Sequence, residues 1–161
     1  MFNKKRILIT GGSGSWGNEL TKQLLKKYDP TEILIYSRGE MKQWQMKKKF
    51  FNNKLKFVIG DVRDYNRLNI VAKKVDIIFH LAALKHVPVC EENSNEAVLT
   101  NIYGAQNVIN AAINNNIELV VNVSSDKAVD PLNLYGVTKL CAEKLMIAAN
   151  NFSGNTKFIN V

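Results

Sequence analysis

The 161-residue chain has few cysteines and few prolines, two and three respectively. Cys90 and Cys141 lie far apart, without the spacing of a zinc site or a disulfide framework, so we expect no metal and a reducing, cytoplasmic setting. No apolar run reaches the roughly 20 residues that cross a bilayer. A strand pattern begins almost at Met1, without the apolar segment of a signal peptide. These absences predict a soluble protein with no membrane partner.

Acidic residues are also scarce: 14 Asp and Glu face 22 Lys and Arg, for a formal net charge of +8. Such an excess suits nucleic acid, an anionic membrane or a phosphate-bearing ligand. No arginine stripe, zinc spacing or RNA-binding aromatic pattern is present, so we expect no nucleic-acid partner. The basic residues concentrate in 4–6, 22–27 and 42–56, where the periodicity favours solvated faces over a polyanion site. With 46% hydrophobic residues, residues 1–161 fit one globular domain.

Short apolar runs alternate along the chain with longer helical patterns. The predicted strands are 6–10, 32–36, 56–59, 76–80, 119–123 and 157–161. The predicted helices are 15–28, 40–52, 63–73, 95–115 and 134–151, the fourth beginning with a capping-box pattern of Asn93 and Glu96. Strict alternation indicates a Rossmann-type α/β fold, a doubly wound parallel sheet flanked by helices. Ligands of such sheets bind beyond the carboxyl ends of the strands.

The segment after the first strand is rich in glycine. Gly11, Gly14 and Gly17 recur every third residue between a strand and a helix, which is typical of a dinucleotide-binding loop. Gly11 permits the turn, Gly14 admits a pyrophosphate to the backbone, and Gly17 lets the helix pack closely. The pyrophosphate then lies at the helix N-terminus. The residues between the glycines, Ser13, Ser15 and Trp16, belong to the same predicted cofactor loop.

The end of the second strand bears on the choice between NADP and NAD. An NAD enzyme usually carries a ribose-binding acid there, whereas this chain has Ser37 and Arg38, with no acid until Glu40. A hydroxyl and a guanidinium suit the 2′-phosphate of NADP. We therefore predict NADP, with NAD as the alternative and an exposed loop arginine as the non-functional interpretation of Arg38.

The next two strand ends carry further candidates for cofactor binding. Asp61 could accept a hydrogen bond from the adenine amino group while Val62 packs on the ring. The alternative is that Asp61 caps the following helix. After the fourth strand, the small residues of Leu81-Ala82-Ala83 leave room for a dinucleotide.

The fifth strand is followed by a catalytic pattern. Ser125 precedes Tyr135 and Lys139, and residues four apart on a helix share a face. The Lys139 ammonium would stabilise a Tyr135 phenolate, which makes Tyr135 a candidate base for the hydroxyl of an alcohol that loses hydride. Ser125 can hydrogen-bond the same oxygen.

Together these motifs resemble the extended short-chain dehydrogenase/reductases. The segments Leu84-Lys85-His86-Val87-Pro88 and Ser124-Ser125-Asp126-Lys127-Ala128 are more closely similar to the inverting UDP-N-acetylglucosamine 4,6-dehydratases of bacterial polysaccharide and flagellin-glycan synthesis. The resemblance covers essentially the whole chain. Two departures are modest: Ser125 replaces a frequent threonine, and Gly39 replaces a common acid.

The resemblance implies roles that spacing alone does not give. Lys127 would be the base at C5 of a UDP-sugar and Asp126 the acid at its C6 hydroxyl. These roles need a partly protonated Asp126 and a partly neutral Lys127, which a buried, coupled pair could provide. Lys85 would contact cofactor or substrate, and Asn101 would face the cofactor. We interpret His86 as structural. The resemblance also implies a homo-oligomer for the full-length protein.

The family normally continues well past Val161, with a C-terminal part that grips the UDP-sugar. We therefore expect a truncated Rossmann domain that lacks the substrate domain and has little activity alone. Two alternatives stay open, a nucleotide-sugar epimerase and a non-catalytic NAD(P)-binding module.

Overall fold

The computed structural model describes residues 1–161 and contains one six-stranded sheet of parallel strands, in the order β3-β2-β1-β4-β5-β6. The strands are β1 Arg6–Thr10, β2 Glu32–Ser37, β3 Leu55–Ile59, β4 Ile77–His80, β5 Leu119–Asn122 and β6 Lys157–Asn160. This is the order of the doubly wound dinucleotide-binding fold. The predicted fold class is confirmed, and the predicted strand ends differ by at most one residue.

Helices cover both faces of the sheet. They are α1 Ser15–Lys27, α2 Glu40–Phe50, α3 Tyr65–Val71, α4 Val87–Glu92, α5 Ser94–Val98, α6 Gly104–Asn114 and α7 Leu134–Ala149. Successive residues of a strand point to opposite faces, and β1 follows this rule. Ile7 and Ile9 belong to one apolar core cluster with Leu24 of α1, whereas Leu8 belongs to the other with Ile109 of α6. The two larger clusters of the core therefore form two layers divided by the sheet.

The single helix predicted over 95–115 is interrupted. A π-helical turn, Leu99–Tyr103, joins α5 to α6, so the rod is continuous but locally widened. Sequence periodicity did not predict α4 or the short 3₁₀ turn Asp126–Ala128, because six and three residues are too short to show a helical repeat.

The capping box predicted at the start of this rod is wrong. Asn93 ends α4 as well as preceding α5, and its side-chain amide donates to the Val89 carbonyl 3.0 Å away instead of capping α5. Glu96 pairs with Arg63, at 2.5 Å between Oε2 and NH1. Both side chains are therefore engaged elsewhere.

Two further observations concern the whole chain. None of its helices combines the length and the apolar character needed to span a bilayer. No group of three or more His, Cys, Asp or Glu residues is arranged to hold a metal ion.

Candidate active site

A cleft of about 860 Å³ opens at the carboxyl ends of the strands, between the loops that follow β1 to β5 and the start of α7. Most of the predicted site residues line it: Gly11, Ser13, Gly14, Ser15, Trp16, Ser37, Arg38, Asp61, Val62, Leu81, Ala82, Ala83, Lys85, Tyr135 and Lys139. The sequence did not single out other lining residues, which include Tyr36, Lys42, Thr100, Val123 and Ser124. Five predicted residues lie outside the lining: Gly17, Asn101, Ser125, Asp126 and Lys127.

The glycine loop has the backbone that its sequence predicts. Gly11 has φ +66°, in the left-handed region that glycine tolerates, and lies against the Ala82 backbone. Gly17 supports the loop from outside the cleft, since a Cβ there would overlap the carbonyl oxygen of Gly12. No side chain caps α1 at Gly14, so its first N–H groups stay available to an anion.

Ser37 and Arg38 lie together at the β2 end of the cleft. The Ser37 hydroxyl is 2.8 Å from the Ser13 hydroxyl and accepts from the Gln43 side-chain amide at 3.0 Å. Arg38 is 54% exposed and its guanidinium is 3.8 Å from an Asp61 carboxylate oxygen. This corner therefore offers hydroxyls and a cation to a ligand.

Asp61 is held mainly by Arg63. It accepts from the Arg63 backbone N–H at 3.0 Å and from the guanidinium at 2.8 and 2.6 Å. Burial acts to raise the pKa of Asp61, but these hydrogen bonds prevail and hold it below the usual value. The alternative role as a helix cap is wrong, because Asp64 caps α3 by accepting from Arg67 N–H at 2.9 Å.

Tyr135 and Lys139 both line the cleft from α7, and both are buried. Asn133 caps this helix by accepting from Gly136 N–H at 2.9 Å. The Lys139 ammonium donates to the Val123 carbonyl at 2.6 Å. Burial lowers the pKa of Lys139 to about 8, although Glu143 partly opposes the shift. The helix therefore presents a phenol and an easily deprotonated ammonium to one cavity.

Asn101 lies behind the cleft instead of lining it. Its side chain accepts from Leu84 N–H at 2.8 Å and donates to the Leu84 carbonyl at 2.9 Å and to the Thr138 hydroxyl at 3.0 Å. Thr138 in turn donates to the Tyr135 carbonyl at 2.8 Å. This brace joins the β4 loop to α7. Sequence reasoning missed Thr138, although its place inside the Tyr-x-x-x-Lys motif was a signal.

Asp126 and Lys127 lie in the 3₁₀ turn beside α7, and Ser125 caps its start. The Ser125 hydroxyl donates to Asp126 at 3.0 Å and accepts from Lys127 N–H at 3.2 Å, and the Asp126 and Lys127 side chains are 3.5 Å apart. Both are exposed, at 84% and 48% of the side chain. The Ser125 hydrogen bond and then Lys127 lower the pKa of Asp126. The burial that could provide the protonation states needed for their roles is therefore not present in this chain.

The two histidines differ sharply in burial. His80 is buried at the end of β4, with its Nδ1 at 2.7 Å from the Thr10 hydroxyl. Burial, reinforced by the Lys139 charge, lowers the pKa of His80 to about 3. Sequence analysis missed this residue, although it follows the apolar run Ile77-Ile78-Phe79. His86 is exposed, lines the cleft and precedes α4.

The chain matches the family model described as polysaccharide biosynthesis protein over residues 7–161. It is 53% identical over 155 residues to the inverting UDP-N-acetylglucosamine 4,6-dehydratase of Campylobacter jejuni, which covers 96% of this chain and 46% of that protein. It is also 49% identical over 151 residues to the UDP-glucose 4-epimerase of Rickettsia akari, at 92% and 44% coverage. The chain thus spans about half the length of the curated relatives it matches.

Solved structures support the fold. Pen from Bacillus thuringiensis superposes with a TM-score of 0.96 at 41% identity, covering 99% of this chain and 50% of that one. DesIV, a dTDP-glucose 4,6-dehydratase from Streptomyces venezuelae solved with NAD bound, gives 0.85 at 25% identity, covering 92% and 52%. With its glycine loop, Tyr-Lys helix and family match over nearly its full length, the chain belongs to the polysaccharide biosynthesis protein family, and the resemblance to its dehydratases is confirmed.

Proposed function

We propose that the chain is the cofactor-binding and catalytic portion of an NADP-dependent, C5-inverting UDP-N-acetylglucosamine 4,6-dehydratase. The observation that carries the proposal is the convergence of the glycine loop, Tyr135 and Lys139 on one cleft. Similarity to the Campylobacter jejuni dehydratase supports the substrate class. DesIV, which has NAD bound, supports a nicotinamide cofactor.

The residues present fit such a cofactor. Gly11 and Gly14 leave the phosphate side of the cleft without side chains, and the uncapped start of α1 supplies N–H donors. Ser37 and Arg38 suit a 2′-phosphate, since a guanidinium binds phosphate oxygens in a bidentate manner. The 860 Å³ volume is within the range of ligand clefts.

The proposed chemistry assigns each proton to a residue of the chain. The nicotinamide supplies a hydride acceptor and donor when bound. Tyr135 acts as a phenolate, which the buried Lys139 ammonium stabilises. It takes the proton of the C4 hydroxyl and becomes the neutral phenol. A C4 ketone acidifies the C5 hydrogen, so that Lys127 can remove it while Asp126 protonates the departing C6 hydroxyl. The resulting C5–C6 double bond then takes up the hydride at C6 and a proton at C5 on the opposite face.

The exposure of the Asp126–Lys127 pair explains why we expect little turnover from the chain alone. An exposed Asp126 with a lowered pKa is ionised at neutral pH and holds no proton for a leaving group. Burial raises the pKa of a carboxyl group. We infer that the part of the relatives absent from this chain covers the pair and makes the acid competent.

Cofactor binding tests the first half of the proposal. The purified chain is titrated calorimetrically with NADP and with NAD. Binding with a lower dissociation constant for NADP is expected, and Arg38→Ala should weaken NADP more than NAD. Tighter binding of NAD contradicts the cofactor assignment, and binding of neither dinucleotide contradicts the whole proposal.

A chimera tests the chemistry. This chain replaces the matching half of the Campylobacter jejuni dehydratase, and conversion of UDP-N-acetylglucosamine is followed by mass spectrometry for loss of water. Lys127→Ala and Tyr135→Phe should each abolish product, whereas Lys144→Ala, an unassigned lysine of the same helix as Tyr135, should not. Product from both variants in an active chimera would show that the roles are misassigned.

A 4-epimerase is the second candidate, favoured by the 49% identity to the Rickettsia akari protein. An epimerase needs Tyr135 and Lys139 but neither a base at C5 nor an acid at C6. The same chimera with UDP-glucose distinguishes the two. Formation of UDP-galactose that continues in the Lys127→Ala variant, without loss of water, would favour the epimerase.

A further inference from the structure

Three buried hydroxyls of this chain have no hydrogen-bond partner: those of Thr21, Thr100 and Ser124. An unpaired buried hydroxyl destabilises a fold, so each instance asks for an explanation. Thr100 and Ser124 line the cleft, whereas Thr21 lies on α1 away from it. Two of the three therefore border the space that a ligand would occupy.

Thr100 faces the segment assigned to the adenosine half of a dinucleotide. Residues four apart share a helix face, and Thr100 lies midway between Glu96 and Gly104. Glu96 contacts Arg63, and Gly104 packs so closely on Val62 that a Cβ there would lie 2.8 Å from its methyl group. Thr100 thus lies over the Asp61–Val62 strand end. It also sits in the π-helical turn, a distortion frequent at functional sites.

Ser124 lies at the opposite, catalytic end of the cleft. It follows Val123, whose carbonyl accepts the Lys139 ammonium at 2.6 Å. Its own backbone N–H is engaged with the Val161 carbonyl at 2.7 Å, which fixes the backbone while leaving the hydroxyl unpaired. A nicotinamide ring or its ribose beside Tyr135 would lie next to this hydroxyl.

Thr100 and Ser124 both line the cleft, and each hydroxyl turns about a single side-chain bond. Their oxygens are shielded from solvent, although the residues themselves line the cavity. Threonine in helices divides between two χ1 rotamers and serine has three staggered wells. A polar ligand atom at the surface would recover the hydrogen bond that each hydroxyl lacks.

We propose that the Thr100 hydroxyl hydrogen-bonds the adenosine half, and the Ser124 hydroxyl the nicotinamide half, of the dinucleotide. This inference rests on the proposed cofactor function. It implies that Thr100 and Ser124 each keep a hydroxyl that destabilises the free chain, because the bound cofactor supplies its hydrogen-bond partner.

Isosteric variants test the inference in the chain itself. Thr100→Val, Ser124→Ala and the control Thr21→Val each remove one unpaired hydroxyl. Dissociation constants are measured for NADPH and for 2′-phospho-ADP-ribose, which lacks the nicotinamide. The melting temperature without ligand is recorded as well.

Each variant has a distinct expected pattern. Thr100→Val weakens both ligands about three- to tenfold, the effect of one net hydrogen bond. Ser124→Ala weakens NADPH to a similar extent and leaves 2′-phospho-ADP-ribose unchanged. Thr21→Val changes neither. All three melt at or above the wild-type temperature, and Thr100→Ser, which keeps the hydroxyl, binds like the wild type.

The outcomes separate this inference from the function on which it rests. If the wild-type chain binds the ligands and Thr100→Val and Ser124→Ala bind them with unchanged affinity, the inference is overturned but the proposed function is not. Equal weakening by Thr21→Val overturns it too, since the loss would then be nonspecific. A wild-type chain that binds neither ligand overturns the proposed function and the inference together.

Discussion

Lys139 combines a candidate catalytic role with almost complete burial, 5% exposed. Its folded-state pKa of about 8 is below the unfolded value of 10.5. Between these values the unfolded chain binds more protons than the folded one, so stability rises with pH. The buried ammonium is therefore a cost that the fold carries at neutral pH.

The first prediction follows from that sign. The free energy of unfolding should rise by about 2 kcal/mol between pH 7 and pH 9.5, and Lys139→Met should remove most of this rise. Urea unfolding across the interval measures both. Lys144→Met, at an exposed position on the same helix, is the control and should keep the rise. If Lys139→Met left the rise of the unfolding free energy with pH unchanged, Lys139 would not be its source.

His80 gives a second prediction in the acid range. Its folded-state pKa of about 3 is below the ordinary 6.5. The free energy of unfolding is therefore unaffected by His80 above pH 6.5 and falls as the pH drops towards 3, because the unfolded chain binds a proton that the folded chain does not. We expect a loss of about 2 kcal/mol from pH 7 to pH 5. His80→Asn should flatten this segment of the stability curve, whereas His86→Asn, at an exposed position, should not.

At the residue scale the sequence predicts the residues that line the cleft better than the residues that hold them in place. That Tyr135 and Lys139 share one face of α7 follows from their four-residue spacing and helix geometry alone. The brace from Asn101 to Thr138 joins residues far apart in the chain, and no local pattern announces such a contact. The exposure of Asp126 likewise depends on which parts of the molecule cover it, which spacing does not encode.

The 3₁₀ turn and α7 are fitted to each other at the element scale. A Cβ at Gly136 would overlap the Lys127 carbonyl oxygen and lie 3.0 Å from the Pro131 side chain. The absence of a side chain at one position thus fixes how closely the Asp126–Lys127 turn approaches the Tyr135 helix.

The third prediction tests this contact. Gly136→Ala should lower the free energy of unfolding by about 1–3 kcal/mol, as overpacking does, and should reduce dehydration in an active chimera. Gly39→Ala is the matched control, because a Cβ there meets only the Lys42 side chain at 3.8 Å or more. Its stability should change by about 0.5 kcal/mol or less. Equal effects of the two substitutions would contradict the close fit.

Elements with strong periodicity were predictable, and irregular ones were not. β1 and α7 follow from apolar runs and helical spacing. The π-helical turn at Leu99–Tyr103 inserts an extra residue into a turn without changing the apolar pattern around it. The helix α4 is too short for a repeat, and Pro88 in its first turn resembled a loop signal.

At the scale of the whole molecule, the two larger apolar layers share one sheet. Leu24 lies in one layer and Ile109 in the other, at 2% and 1% exposure. Every central strand contributes to both layers, so neither layer can persist without the sheet. The single domain predicted over residues 1–161 requires that the two unfold together.

The fourth prediction tests that requirement. Leu24→Ala and Ile109→Ala should each lower the free energy of unfolding by about 2–5 kcal/mol. Each should shift one common transition, seen alike by far-ultraviolet circular dichroism and by tryptophan fluorescence. Both tryptophans, Trp16 and Trp44, lie on the Leu24 side, in α1 and α2. If Ile109→Ala did not shift the unfolding transition seen by fluorescence, the two layers would unfold as separate units.

The strand order has a consequence for the sequence of events during synthesis. β1 emerges first from the ribosome, yet it occupies the middle of the sheet, between β2 and β4. Ile9 gains one neighbour when Ile35 is made and the other only when Phe79 follows. Pairings between distant segments form slowly. Until β4 is complete, the nascent chain therefore leaves one edge of the apolar strand β1 unpaired, and a chaperone could bind it during this interval.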